Sequence, residues 1–394
     1  MHNRPTMLLL NIGHAIDHMF LLIFATAVTT IALEFGFSRW EDLMPYNTAA
    51  FFFFGVVSLP AGKLGDQWGR RSMMILFFAG MGVSAILVSL TRSPIQLALA
   101  LALLGSVAAI YHPVGIPMLV QGTARPGWTI GVNGFAGNLG VACSAIVTGF
   151  MVKYFGWRMA FILPGIVSIA CAIAFAKVAK VEAEPPSRRA ATQLELPAGI
   201  LARVLLVMTV ASTGATLLFN FSTNGNYELL SERFAAISRD PADLGLLLAA
   251  IYAIASLAQL VAGKLIDRFA LKPLYLTVLA LQILFLAMAA RAESWSLYVL
   301  QTLFMASIFG AIPFTDALIV RYVDDRMRSR VAGVRFAVSL GASSIAVWLL
   351  GPVVKQAGFG VLLWTMAAIA LAMIPVIAWL PKPPRGRAIV QASA

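Results

Sequence analysis

Charged residues are scarce in this chain. At 12% of 394 residues they reach half the density of about 25% usual in soluble domains, which excludes a fold whose main solvent is water. Cysteine is nearly absent. Cys143 and Cys171 both fall inside apolar runs, so a disulfide scaffold is excluded and two free thiols are expected. Neither GxxxxGK[ST] nor GxSxG nor HExxH occurs, which leaves no visible ATP-driven step and removes two hydrolase routes. No cofactor and no enzymatic activity are expected.

Apolar sequence fills the space instead, at 60% of residues with a mean hydropathy of +0.86. A bilayer crossing takes about 20 residues, so twelve crossings with short loops use the whole length. Hydropathy puts them at roughly 7–33, 43–61, 73–91, 94–120, 129–152, 159–180, 200–230, 243–262, 273–290, 295–320, 331–354 and 359–380. The stub Met1 to Pro5 shows no signal-peptide cleavage pattern, and the first run is expected to stay as a helix. Trp40, Trp157, Trp295 and Tyr298 near span ends fit an interfacial belt.

The net charge of +12 needs no nucleic acid. With the N-terminus inside, Arg39, Arg92, Lys153, Arg158, Arg233, Arg239, Arg291 and Lys355 fall outside. The remaining Lys and Arg lie on or near the cytoplasmic side, as the positive-inside rule requires. Both termini are then cytoplasmic, in a multi-pass protein of a cell inner membrane.

The longest polar interval runs from Val181 to Pro197. It marks a cytoplasmic linker (181–197) between an N-terminal six-helix bundle (1–180) and a C-terminal one (198–381), followed by a tail (382–394). The halves repeat at an offset of about 201–202 residues. Gly62 and Asp66 match Gly263 and Asp267, Phe135-Ala136 matches Phe336-Ala337, Leu139-Gly140 matches Leu340-Gly341, Lys153 matches Lys355, and Gly156 matches Gly358. Parallel repeats of this kind imply an all-α membrane protein. Its two bundles are related by pseudo-twofold symmetry about the membrane normal, with a site between them at mid-depth.

Two features mark how such bundles would move. Gly62-Lys63-Leu64-Gly65-Asp66-Gln67-Trp68-Gly69-Arg70-Arg71 lies between two spans, and a worn copy returns as Gly263-Lys264-Leu265-Ile266-Asp267-Arg268-Phe269. Gly62 and Gly69 permit tight turns, and Asp66 sits where a helix N-terminus or a base could hold it. Asp66 and Arg70 are expected to latch the cytoplasmic side, with Arg71 beside them and Gly263, Asp267 and Arg268 as the echo. In span 5, Gly131, Gly134, Gly137 and Gly140 form a thin stripe that admits a neighbouring backbone.

Ionisable residues inside spans are costly and usually functional. Span 1 holds His14, Asp17 and His18, with His14 on a face shared with both others. Span 4 holds Tyr111-His112-Pro113-Val114-Gly115, and His112 lies at about the depth of His14 at 1.5 Å per residue. A carboxylate among imidazoles makes a proton site near neutral pH. The alternative role of His112 is to bond a backbone carbonyl freed by Pro113 or Pro117. His18 either joins this face or points elsewhere. Asp316 in span 10 is expected to pair with Arg335 or Arg321. Asn220, Asn224 and Asn226 around Gly225 suggest local unwinding of span 7. Asn138 in span 5 joins the candidate cavity residues. His14, His18, His112 and Asp17 could also ligate a metal, since imidazole suits Zn, Ni or Fe, but no metal site is assigned.

The loop Gly62–Arg71 resembles the loop between helices 2 and 3 of major facilitator superfamily transporters, and Gly263–Phe269 resembles its echo between helices 8 and 9. More narrowly, His14-x-x-Asp17, Tyr111-His112-Pro113-Val114-Gly115 and Gly134-Phe135-Ala136-Gly137-Asn138-Leu139-Gly140 resemble the fosmidomycin-resistance-type branch. The resemblance implies the superfamily fold, a central cavity lined by helices 1 and 4, and proton-coupled export of drugs or related small molecules. The chain departs from drug antiporters in having no Lys or Arg between Ser93 and Ala124, and Ser144-Ala145 where they carry Gly-Pro. The expectation is a monomeric secondary transporter whose partners are a small solute, protons and the bilayer, moving a drug-like or metabolite anion outward. The alternatives are an importer or uniporter of small organic acids, a metal or metal-chelate exporter, and a non-transporting membrane sensor.

Overall fold

The computed structural model describes residues 4–121, 123, 126–180, 198–322 and 325–381. The expected linker 181–197 and tail 382–394 lie outside the described residues. All regular structure within them is helical. The N-terminal half comprises α1 (Arg4–Glu34), α2 (Trp40–Leu43) with a 3-10 turn (Met44–Asn47), α3 (Thr48–Trp68), α4 (Arg70–Ser89), α5 (Pro94–Ala108), a π-helical turn (Tyr111–Gly115), α6 (Ile116–Val120), α7 (Pro126–Phe155) and α8 (Trp157–Val178). The C-terminal half comprises α9 (Ala198–Arg233), α10 (Pro241–Arg268), α11 (Leu271–Ala289), α12 (Ser294–Tyr322) and α13 (Asp325–Ala378).

Eleven segments among the described residues are long and apolar enough to cross a membrane, and the last, Ala337–Ala378, has 42 residues. At 1.5 Å per residue that is about twice the thickness of a hydrocarbon core. It breaks at Gly358, whose φ of 77° and ψ of 169° are non-helical. Gly156, its partner in the sequence repeat, separates α7 from α8 with φ 82° and ψ 161°. A side chain is strained at such angles. The two breaks are therefore the same corner used once per half, and α13 supplies the eleventh and twelfth crossings.

The outer surface is apolar. Leu33, Leu90, Ile95, Leu99 and Trp128 are each between 65% and 69% exposed, a pattern that water would not tolerate over so many helices and lipid does. Cys143 and Cys171 are free thiols, as expected. The interior is filled by Phe20, Phe24, Phe77, Phe78, Phe161 and Phe175 in the first half and by Tyr252, Tyr275 and Phe304 in the second. Trp157 corrects the aromatic-belt reading. It is 2% exposed, because its indole nitrogen donates to Glu34 at 2.7 Å and its ring packs against Phe35 and Phe161.

The halves close together on the face away from the termini, here called the distal face. A Cβ on Gly149 would stand 2.3 Å from the carbonyl oxygen of Pro241, and one on Gly351 would stand 2.2 Å from that of Glu41. One turn further along, Lys153 pairs with Asp240 and Lys355 with Asp42 at 2.5 Å. Each contact joins one half to the other, and the two sets are copies of one another under the sequence repeat. Asp240 also caps α10 by accepting from the Ala242 amide at 2.9 Å, an N-cap ahead of Pro241 at the first helical position. The Lys153 ammonium holds the Asp240 carboxyl below its usual range, so this link stays charged at any pH above that range and loosens only in stronger acid.

Span 4 crosses over Pro94–Val120, as expected. It runs as α5, passes through the π-helical turn at Tyr111–Gly115 and resumes as α6, because Pro113 and Pro117 cannot donate to the ladder. One expectation about local structure is corrected. The Asn-Gly-Asn run of span 7 does not unwind. α9 is continuous through it, since Asn220 donates to Thr216 O at 2.9 Å and Asn224 to Asn220 O at 3.1 Å, bonds that hold both side chains against the helix.

Candidate functional site

α1 is apolar on nearly every side because other helices surround it: Leu10, Phe20, Ile23, Phe24, Val28 and Ile31 are all fully buried. A polar residue on such a helix must find its partner inside the protein. His14 and His18 lie one turn apart, with their Nε2 atoms 3.1 Å from each other. The Nδ1 of His14 sits 2.7 Å from the carbonyl oxygen of Asn133 on α7. A carbonyl can only accept, so Nδ1 carries the hydrogen and the neutral ring keeps its Nε2 lone pair.

The π-helical turn brings His112 to the same point. Its ring centroid lies 5.1 Å from that of His14 and 5.9 Å from that of His18. Asp17 is fully buried, and its Oδ2 stands 3.5 Å from His112 Nε2. That is long for a hydrogen bond, and neither carboxylate oxygen has a closer donor among the described residues. His112 keeps 22% side-chain exposure. The structure thus assembles His14, Asp17, His18, Tyr111 and His112 into one cluster, and His18 points into it.

A floor of hydrogen bonds fixes this cluster. Tyr111 stacks on His14 at 4.9 Å and donates its hydroxyl to Leu10 O at 2.6 Å. Asn133 Nδ2 donates to that hydroxyl at 2.7 Å and to Asn11 Oδ1 at 3.0 Å. Gly137 leaves the space for the His14 ring, since a Cβ there would stand 2.7 Å from its Cε1. Tyr111→Phe is expected to lower stability by about 1–3 kcal/mol, because it removes one buried partner from Asn133 and the bond to Leu10. Thermal unfolding in detergent checks it.

The opposite half presents aromatic rings. Phe219 of α9 faces His18 at 6.4 Å, Phe309 stacks on Phe219 at 5.7 Å, and Tyr252 stacks on Phe309 at 6.1 Å. Nearer the distal face, Thr29 of α1 donates to Glu228 of α9 at 2.7 Å across the seam between halves. Glu228 is 6% exposed.

Other expected site residues lie elsewhere. Asn220 bonds Ser343 within the C-terminal half at 3.0 Å. Asn224 accepts from Asn47 of the N-terminal half at 3.5 Å, toward the distal face. Asn138 is buried on α7 with its Nδ2 unbonded among the described residues. The side chains of Asp316, Arg321 and Arg335 lie outside the described residues, and so does that of Asp66. Of the loop glycines, Gly69 makes the turn, with φ 84°. Gly62 instead lies inside α3 and packs on Pro113, and Gly65 packs on Val114. The loop helix therefore leans directly on the turn that carries His112. Arg70 reaches Gln121 at 3.4 Å. Arg71 caps the end of α8 by donating to Ala176 O at 2.5 Å and Ala179 O at 2.8 Å, which satisfies carbonyls that a helix end leaves open. In the echo, Gly263 meets nothing within 4 Å, and Asp267 and Arg268 are exposed.

Asn133 and Glu228 are not legible as site residues in the sequence. Asn133 stands in a glycine-rich run that reads as packing, and Glu228 lies near Glu232 and Arg233, where it looks like a charge at a span end.

The Major Facilitator Superfamily profile matches residues 10–231 and 215–393, which together cover nearly the whole chain. The chain belongs to the Major Facilitator Superfamily. It is a multi-pass membrane transporter and not an enzyme. Among curated relatives it is similar to multidrug resistance protein MdtG of Proteus mirabilis (strain HI4320), 23% identical over 308 residues covering 76% of each chain. The MdtG of Dickeya zeae (strain Ech586) is also 23% identical, over 76% of this chain and 75% of its own. Among solved structures, a bacterial homolog of the human lysosomal transporter Spinster, inward-facing and unoccupied, superposes with a TM-score of 0.70 at 14% identity. It covers 95% of this chain and 94% of its own. That likeness shows the fold. Membership of the narrower fosmidomycin-resistance branch does not follow from these matches.

Proposed function

We propose that this transporter exports a small, partly apolar organic solute, a drug-like molecule or metabolite anion, across an inner membrane in exchange for protons. The observation that carries the reading is Glu228, a carboxylate buried at the seam and held by Thr29 of the other half. No base approaches it within ion-pair distance among the described residues. The charged neighbours are acids: Glu41, buried and paired with Arg39, and Glu232, beside Arg233. Burying an ionised carboxylate with no opposite charge costs several kcal/mol, and burying a protonated one does not. Closing the distal face therefore goes with proton uptake by Glu228, and opening it returns the group to water. A proton so placed biases the two states of the gate.

The sequence points first to Asp17 for this role. Its partner His112 sits in the same half, so that contact does not span the seam between halves. We assign the proton to Glu228 and leave Asp17 as a buried carboxyl beside the histidines. The substrate class is supported by the two walls of the central site, polar on α1 and aromatic along Phe219, Phe309 and Tyr252, which suits an amphipathic solute. Relatives named as multidrug resistance proteins agree with it.

The test is flux in proteoliposomes across a panel of labelled organic solutes with an imposed pH gradient. The expected result is gradient-driven accumulation of at least one solute, abolished by a protonophore. Flux indifferent to both would leave uniport and remove the coupling.

A further inference from the structure

The geometry points to a binding site for one divalent transition metal ion, carried as part of the exported solute, on His14, His18 and His112. The inference deepens the export reading and rests on it for the fate of the metal, but not for its binding.

The three imidazoles offer ligand atoms that all lie within 4.8 Å of one another. A tetrahedral ion with bonds of about 2.0–2.1 Å holds its nitrogens about 3.3 Å apart. His14 Nε2 and His18 Nε2 are already at 3.1 Å. The remaining closure of about 1.5 Å falls to His112, the partly exposed member, which rides on a π-helical turn rather than on a regular helix.

The surroundings follow the pattern of ligating histidines, whose second nitrogen is held by a carbonyl or carboxylate. His14 donates Nδ1–H to Asn133 O, which fixes the tautomer that aims the Nε2 lone pair at the cluster. Asp17 supplies the carboxylate beside the cluster, its Oδ2 3.5 Å from His112 Nε2. Asp17 itself is fully buried, with neither oxygen satisfied by a close donor, as a carboxylate in place to balance a nearby cation would be. In the absence of metal, His18 Nε2–H donates to His14 Nε2. Ligation moves that hydrogen to His18 Nδ1, so the rings themselves release no net proton.

Charge and coordination number suggest how the metal travels. Three neutral imidazoles leave a fourth position open. Asp17 offsets one of the two positive charges that the ion brings into a low-dielectric interior. A monoanionic chelator would offset the other and fill the open position, while its apolar part rests on Phe219. A free ion and a metal chelate share the same ligation, and the experiment separates them.

The measurement uses full-length protein with a tag free of histidine, in a Cys143→Ser/Cys171→Ser background so that no thiol competes. Zn2+ binding by calorimetry is expected at one ion per chain, and Co2+ should give the intense visible absorption of a tetrahedral site. His14→Gln and His112→Gln are each expected to weaken binding by roughly 100-fold, with monodispersity and thermal unfolding confirming the fold. His112→Cys should instead keep binding and add a cobalt–thiolate charge-transfer band, which a purely structural role for His112 could not produce. Everted vesicles then receive Zn2+ alone or Zn2+ with picolinate, a monoanionic aromatic chelator. Uptake with picolinate only assigns the cargo as a chelate, and uptake of Zn2+ alone assigns the free ion. Binding that ignores the histidine variants, or binding with no metal flux in either arm, overturns the inference. Gradient-driven flux of an organic solute that persists in excess EDTA also overturns it while leaving the export reading intact.

Discussion

Glu228→Gln is expected to lower pH-gradient-driven flux at least tenfold while leaving solute exchange down a concentration gradient in place. Glutamine matches the protonated carboxyl in shape and still accepts from Thr29 Oγ1, the bond that spans the seam at 2.7 Å. The distal face can then close without taking up a proton and open without releasing one, so the cycle runs but is no longer coupled. The same proteoliposomes report both quantities, gradient-driven accumulation and counterflow of labelled solute. Undiminished accumulation in the variant would mean that the coupled proton binds elsewhere, with Asp17 the next carboxylate to examine. Loss of counterflow as well would mark Glu228 as a structural element of the seam.

Gly140→Ala is expected to cost about 1–3 kcal/mol or more by overpacking, with a matching fall in the yield of folded protein. Its Cβ would stand 2.1 Å from the carbonyl oxygen of Ala15. The three nearest atoms all belong to the Ala15 main chain, so no rotamer change relieves the clash and α1 must move away from α7. His14 lies beside Ala15 and would be drawn off the Asn133 carbonyl, so the histidine cluster should loosen along with the packing. Gly131→Ala is the control. It lies on the same helix with nothing within 4 Å of its Cβ, and replacing glycine there should be neutral or gain up to about 1 kcal/mol of helix propensity. Thermal unfolding of the two variants side by side decides it. Equal midpoints would show that α1 and α7 are not in such close contact.

Most of the architecture is legible in the amino-acid order. The twelve spans follow from hydropathy, because lipid forces each crossing to satisfy its own backbone and to be apolar over a set length. The repeat of Gly156 at Gly358 and of Lys153 at Lys355 announces two equivalent halves, and the fold turns those pairs into matching corners and matching cross-links. Of the bases expected on the far side, Lys153, Arg158 and Arg233 lie in end turns of their helices, Lys355 lies just before the break at Gly358, and Arg39, Arg92, Arg239 and Arg291 lie in the connections between helices. Local detail is harder to read. Asn220, Asn224 and Gly225 look like a break in a span, yet side-chain amides bonded one turn back keep α9 continuous. Trp157 looks interfacial, yet Glu34 and two aromatic rings draw it inside.

Sequence alone determined that this protein is a two-bundle membrane transporter and that His14, Asp17 and His112 deserve notice. The bilayer makes apolar length and rare intramembrane charge visible one residue at a time. Only the tertiary structure decided that His18 joins those residues, that Asn133 orients His14, and that Glu228 meets Thr29 across the seam. Those contacts join residues 119 and 199 positions apart. They depend on how far helices from different parts of the chain approach and rotate, and glycines such as Gly137 and Gly140 set that distance. No periodicity within a single span records it.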